Sequence, residues 1–249
     1  MIMNTKIILL DVNTDIVNAW EKYFVVDSVE IVNCEFKEYL DKHYNEIEAI
    51  VSPANSFGLM DGGYDAAIRA YFGMGVQEKV QEYILKTYHG EQVVGTAFTV
   101  AIPGTDKKLI HAPSMRVPSI IPDPNVIYHC MRSTLMEVID NGISSVIIPA
   151  FGGLTGRVPP DVVALKMWGA FVQINMPPTV MNWDTIIDYT DLALWNGEKR
   201  PPKLEVRPFQ VLCKLKKTSV RFTIVTRGRA EFLGSAPYLY YTGIFMHVK

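Results

Sequence analysis

Short apolar runs alternate with amphipathic stretches along the first 180 residues, and this alternation limits the fold more than any other feature of the chain. KIILLDV (6–12), SVEIVNCEF (28–36), AIVSPANSFG (49–58), QVVGTAFTVAI (92–102), KLIHAP (108–113) and SSVIIPAF (144–151) have strand-like texture. Between them, IVNAWEKYF, KEYLDKHYNEI, YDAAIRAYFG, VQEKVQEYILKTY and PNVIYHCMRSTLMEVIDNG carry apolar residues at helical spacing, and PPDVVALKMWGAF follows the last strand. Asn13-Thr14-Asp15 offers a cap for the first helix, Gly142 an end for the long one, and the paired prolines a start for the last. Strands alternating with helices predict an α/β sandwich on a largely parallel sheet.

Charge divides the chain. Residues 199–249 hold eleven Lys/Arg and two acids, so of the 24 basic and 26 acidic residues in all, thirteen and twenty-four fall in 1–198. The expected organisation is therefore a domain over 1–198 with a net charge near −11, and a basic extension over 199–249 near +9. Such an acidic domain is a poor partner for nucleic acid, which leaves only the tail for that role. FQVLCKLKK and VRFTIVTRGR suggest two strands within the tail. An accessory extension and an appendage that recruits an anionic partner both remain open for it.

No apolar run reaches the length of a membrane span, and MIMNTKIILLD reads as a first strand, not a signal peptide. Cys34, Cys130 and Cys213 are widely spaced and odd in number, so neither a disulfide framework nor a zinc cluster is indicated. A reducing, cytoplasmic setting is expected, with no metal and no cofactor.

In open α/β sheets ligands bind beyond the carboxyl ends of the strands. Two loops there have suitable chemistry. Ser52 to Asp65 reads SPANSFGLMDGGYD, and Pro149 to Pro160 reads PAFGGLTGRVPP. Glycines lacking Cβ let backbone N–H groups approach an anion, and the helix that follows each loop adds its positive end. Glycines between a strand and a helix are also ordinary turn punctuation; two such loops, one with Asn55 and Asp65 as well, favour a diphosphate site. Neither fits the dinucleotide or P-loop pattern.

SPANSFGLMDGGYDAAI resembles the signature loop of macro domains, and PAFGGLTGRVPPDV resembles their second, phosphate-embracing loop. The resemblance covers about residues 1–180. It implies a three-layer α/β/α sandwich around a mixed six- or seven-stranded sheet that binds ADP-ribose. Many members also remove ADP-ribose from modified proteins or small metabolites, while others only read it, and the sequence does not separate the two. Carried over, Asn55 would fix the distal ribose and Asp65 would orient a water beside it, the pair forming the expected catalytic set. Gly62 and Gly63 would donate amides to the diphosphate, and Gly152, Gly153, Thr155 and Gly156 would embrace its other side. Glu35, followed by Phe36, stands where a family aspartate accepts from the adenine amino group.

Departures from the pattern are Ser52 for its first asparagine, Asp61 for a glycine, Tyr64 for a valine and Leu154 within the second loop. Leu154 is expected to bring a side chain near the phosphates, and Asp61 is not counted as a contact. Asp11 is expected to cap a turn, and His111 to be a core or rim residue with catalysis as its second reading. His129 and Cys130 are expected to pack within a helix, and Met167, Trp168 and Phe171 in the core. Arg116 and Arg157 are read as solvated, with a phosphate contact as the alternative.

Overall fold

The computed structural model describes residues 5–182, together with the backbone of four two-residue strands between 210 and 223. In chain order the elements are β1 (Lys6–Leu10), α1 (Thr14–Glu21), β2 (Val29–Val32), α2 (Phe36–His43), β3 (Ala49–Ser52), α3 (Gly63–Phe72) and α4 (Gly75–Tyr88). They continue as β4 (Phe98–Ala101), β5 (Lys108–His111), α5 (Asn125–Asp140), β6 (Ser145–Ile148) and α6 (Pro160–Asn175). The six strands form one sheet in the order β2-β1-β6-β3-β5-β4, parallel except for β4, which runs antiparallel to β5. Among the described residues the expected mixed sheet thus has six strands.

Side chains alternate across this sheet as the pleat requires. Ile7, Leu9, Val51, Ile110, Val146 and Ile148 face one core, with Trp20 of α1, Met131 and Leu135 of α5, and Met167 and Phe171 of α6. Ile8, Leu10, Ile50, Leu109 and Ile147 face the other, with Phe36 and Leu40 of α2, Ile68 of α3, and Val76 and Val80 of α4. The central strands are apolar on both faces because helices cover both. Burying each Leu, Ile or Phe contributes about 1.5–3 kcal/mol, so these two layers are the main source of stability. Met167, Trp168 and Phe171 all belong to the first core, Trp168 from its edge.

Local chemistry sets the ends of the elements. The Asn13 side chain accepts from the Asp15 N–H at 2.9 Å and caps α1. Pro160 occupies the first turn of α6, where a missing N–H costs nothing. The strand-like run at 92–102 shortens to Phe98–Ala101. Its first residues form a loop because Gln92 is fully buried and gives its amide to Thr96 and the His111 carbonyl, while Gly95 adopts φ +86°. In the expected extension, Gln210–Val211 pairs antiparallel with Phe222–Thr223, and Lys214–Leu215 with Thr218–Ser219. The proposed boundary at 198 and the other residues of the tail lie outside the described residues. Among the described residues no helix is long and apolar enough to cross a membrane.

Candidate functional site

The loop after β3 is built around Asn55, which is buried. Its carboxamide donates to the Leu59 carbonyl at 2.7 Å and accepts from the N–H groups of Phe57 at 3.1 Å and Leu59 at 3.3 Å. The side chain therefore folds the loop, and one N–H remains for a ligand. The Met60 N–H reaches the Gln77 side chain at 2.9 Å, and Gly58 at φ +65° lies so close to Val80 that a Cβ would approach its Cγ1 to 2.6 Å. These contacts hold the loop onto α4 and deliver Gly62 and Gly63 to the start of α3.

A Cβ built on Gly62 or Gly63 meets nothing within 4 Å. The opening is bordered by the first turn of α3, whose N–H groups lack intrahelical partners and carry the positive end of the helix dipole. Asp65 sits in that same turn, 8% exposed, and the Ser52 hydroxyl at the end of β3 donates to its Oδ1 at 2.7 Å. Burial pushes the Asp65 carboxyl up to about 7; the Ser52 hydrogen bond opposes this and the Asp61 charge adds to it. Asp61 itself is exposed.

Glycines of the second loop have a different physical role. Gly152 adopts φ +70°, and a Cβ there would come within 2.5 Å of Ile121 Cδ1. A Cβ on Gly156 would stand 2.6 Å from the Gly152 carbonyl oxygen. The loop closes on itself through Val158 N–H to Gly152 O at 3.1 Å. Gly153 is half-buried against Ile16, Thr155 is exposed, and Leu154 is 80% exposed, standing out of the loop. Asp11 ties this end of the sheet together. Its carboxylate accepts from Asn13 N–H at 2.8 Å and from the Ala150 and Val12 backbone, and burial raises its pKa.

Between the two loops runs a segment, 113–121, of which sequence reasoning singled out only Arg116. The Ser56 N–H donates to the Arg116 carbonyl at 3.1 Å and Asn55 bridges to Met115, while at the other end Ile121 N–H donates to Gly156 O at 3.0 Å. Arg116 is occupied elsewhere, paired with Glu91 through two hydrogen bonds of 2.6 and 3.0 Å and lying over the Phe57 ring. Arg157 is exposed at φ +53°.

The remaining candidates separate. Glu35 is exposed at the cap position of α2 and makes no capping bond with its side chain. The Phe36 side chain is buried in the core, edge-on to Tyr64 and Tyr71, so only its backbone N–H is available to a ligand. His111 is fully buried, stacked on Phe98, with its Nδ1 at 2.6 Å from Gln92 Oε1. Burial lowers its pKa to about 3, so it is a neutral core residue. Cys130 is buried as expected, with its thiol on the Pro113 carbonyl, but its neighbour His129 is exposed on the outer face of α5. Sequence reasoning counted Ser52 only as a lost asparagine; a hydroxyl and a carboxylate flanking one glycine-rich loop were the signal for their pairing.

The Macro domain family model matches residues 51–167 of this chain. An uncharacterised protein of Aquifex aeolicus (strain VF5) is 31% identical over 123 residues, which span 49% of this chain and 71% of that protein. The chain belongs to the macro domain family. Among solved structures, the Oceanobacillus iheyensis macrodomain with ADP matches at 21% identity and a TM-score of 0.45, over 51% of this chain and 68% of that one. The macrodomain of Mycobacterium tuberculosis DarG matches at 21% and 0.45, over 51% and 83%. Thermosipho africanus DarTG in complex with ADP-ribose matches at 16% and 0.46, over 54% and 37%.

Proposed function

We propose that this chain binds ADP-ribose at the carboxyl ends of its strands and hydrolyses ADP-ribosyl linkages on proteins or small metabolites, with 1–198 as the functional domain. The observation that carries the reading is the buried Asp65 carboxyl, braced by Ser52 beside the open Gly62–Gly63 pair. The diphosphate lies between the first turn of α3 and the second loop, where amides of Gly62, Gly63, Gly152, Gly153, Thr155 and Gly156 supply its hydrogen bonds. Each such charge-assisted bond contributes about 1.5–3 kcal/mol, more than the dipole at about 0.3–1 kcal/mol. Glu35 and the Phe36 N–H hold the adenine edge. The free N–H of Asn55 reaches the distal ribose. Asp65, poised near neutrality, orients a water against the anomeric carbon and takes its proton, the efficient arrangement for a general base. The bond from that carbon to the linked oxygen breaks as it does so, and the acyl carboxylate leaves with the electron pair.

The second reading is a non-catalytic reader, favoured by the same Ser52–Asp65 bond, which also serves simply to brace the turn. The wild-type chain is incubated with an ADP-ribosylated protein, and released ADP-ribose is measured beside calorimetric binding of free ADP-ribose. Cleavage that falls by about 100-fold or more in Asp65→Ala, with affinity largely kept, is the expected outcome. Binding without any cleavage identifies a reader. No binding of ADP-ribose removes both.

A further inference from the structure

Tyr64 follows Gly63 in the first turn of α3, where the family pattern has a valine. Its ring is partly exposed and meets Phe36 edge-on, with centroids 5.2 Å apart. Its hydroxyl, by contrast, is buried and has no hydrogen-bond partner among the described residues. Phenylalanine would make the same ring contact without the cost of desolvating an unpaired hydroxyl, so packing explains the ring and leaves the oxygen unexplained. The titratable groups near that oxygen come from three elements: Asp11 after β1, Cys34 after β2, and Asp65 one residue on in α3.

Position and hydrogen-bonding chemistry together indicate what the hydroxyl meets. On the ADP-ribose reading, which this inference rests on, Tyr64 lies between the diphosphate cradle at Gly62–Gly63 and the adenine position at Glu35–Phe36. The part of the ligand between diphosphate and adenine is the adenosine ribose. A sugar hydroxyl suits this position because it can accept from the phenol and donate to a neighbouring carboxyl oxygen. Tyr64 directly follows Gly63, beside which a Cβ would meet nothing within 4 Å. We infer that the Tyr64 hydroxyl recognises a hydroxyl of the adenosine ribose and makes the site selective for ribonucleoside over deoxyribonucleoside diphosphates.

The full chain and its Tyr64→Phe variant are titrated by calorimetry with ADP-ribose, ADP, 2′-deoxy-ADP and 3′-deoxy-ADP. Wild type should bind ADP about tenfold more tightly than one of the two deoxy analogues, the scale of one hydrogen bond. Tyr64→Phe should lose about that factor for ADP and ADP-ribose, lose nothing for that analogue, and melt no lower than wild type. Equal wild-type affinity for ADP and both deoxy analogues overturns the inference without any variant. So does a Tyr64→Phe protein that binds all four ligands as wild type does, or weakens toward all four alike. Those results leave the ADP-ribose reading standing, whereas wild type that binds neither ADP-ribose nor ADP overturns both.

Discussion

Replacing Asp65 by asparagine should make the protein more stable at alkaline pH while destroying the turnover proposed for it. The folded chain holds the Asp65 proton up to about pH 7, against an ordinary value of 3.8 for the unfolded chain. Between those values the folded state binds more protons, so stability falls as pH rises, by about 1.4 kcal/mol per pH unit. By pH 8 the accumulated penalty is about 4 kcal/mol, an upper figure because relaxation of the loop reduces it. Asparagine cannot ionise, and its carbonyl still accepts from Ser52, so Asp65→Asn removes the penalty. The difference between variant and wild type should be near zero at pH 4 and grow to its full value above pH 7. His111 works in the opposite sense: its folded pKa of about 3 lies below the usual 6.5, so stability is lost as pH falls below 6.5. That loss is common to both proteins and cancels in the difference. Urea unfolding followed by tryptophan fluorescence at half-unit steps from pH 4.5 to 8.5 measures it. A difference independent of pH, or a variant less stable than wild type at pH 8, would refute an ionisable Asp65 held near neutrality by burial.

Three further outcomes test the ligand-holding residues. Glu35→Ala should weaken ADP-ribose binding by about tenfold while leaving ribose 5-phosphate affinity unchanged, read by calorimetry, because Glu35 is exposed and outside both loops. Gly156→Ala should cost about 1–3 kcal/mol in a thermal melt through overpacking against the Gly152 carbonyl and Ile121. Gly62→Ala, with extended backbone and free space around its Cβ, should melt like wild type and show its effect only in weaker ADP-ribose binding.

Legibility in the sequence followed the range over which each physical cause operates. The helix at Asn125–Asp140 and the strand at Ser145–Ile148 were readable because their apolar periodicity is local and uninterrupted. Gln92 was not: a buried side chain bound to Thr96 and His111 overrides a strand-like run, and nothing in the run reveals those partners. Ser52 and Asp65 stand thirteen residues apart and meet only because β3 and α3 bring them back to one end of the sheet. The bridging segment 113–121 carries no motif, since its work is done by backbone groups of Arg116 and Ile121, which every residue type possesses.

The two glycine-rich loops show most clearly what composition conceals. Both read as anion cradles by the same argument, that a missing Cβ opens the backbone to a ligand. At Gly62 the space a side chain would take is open and the backbone extended, so the missing atom leaves room for a ligand; Gly63 has the same open space, but its φ of +56° favours glycine by itself. At Gly152 and Gly156 that space is filled by Ile121 and by the loop's own carbonyl, so glycine is required there even if no ligand ever binds. The same residue type thus answers to two different constraints. Substituting alanine separates them, since at Gly156 it acts on the fold and at Gly62 on the ligand alone.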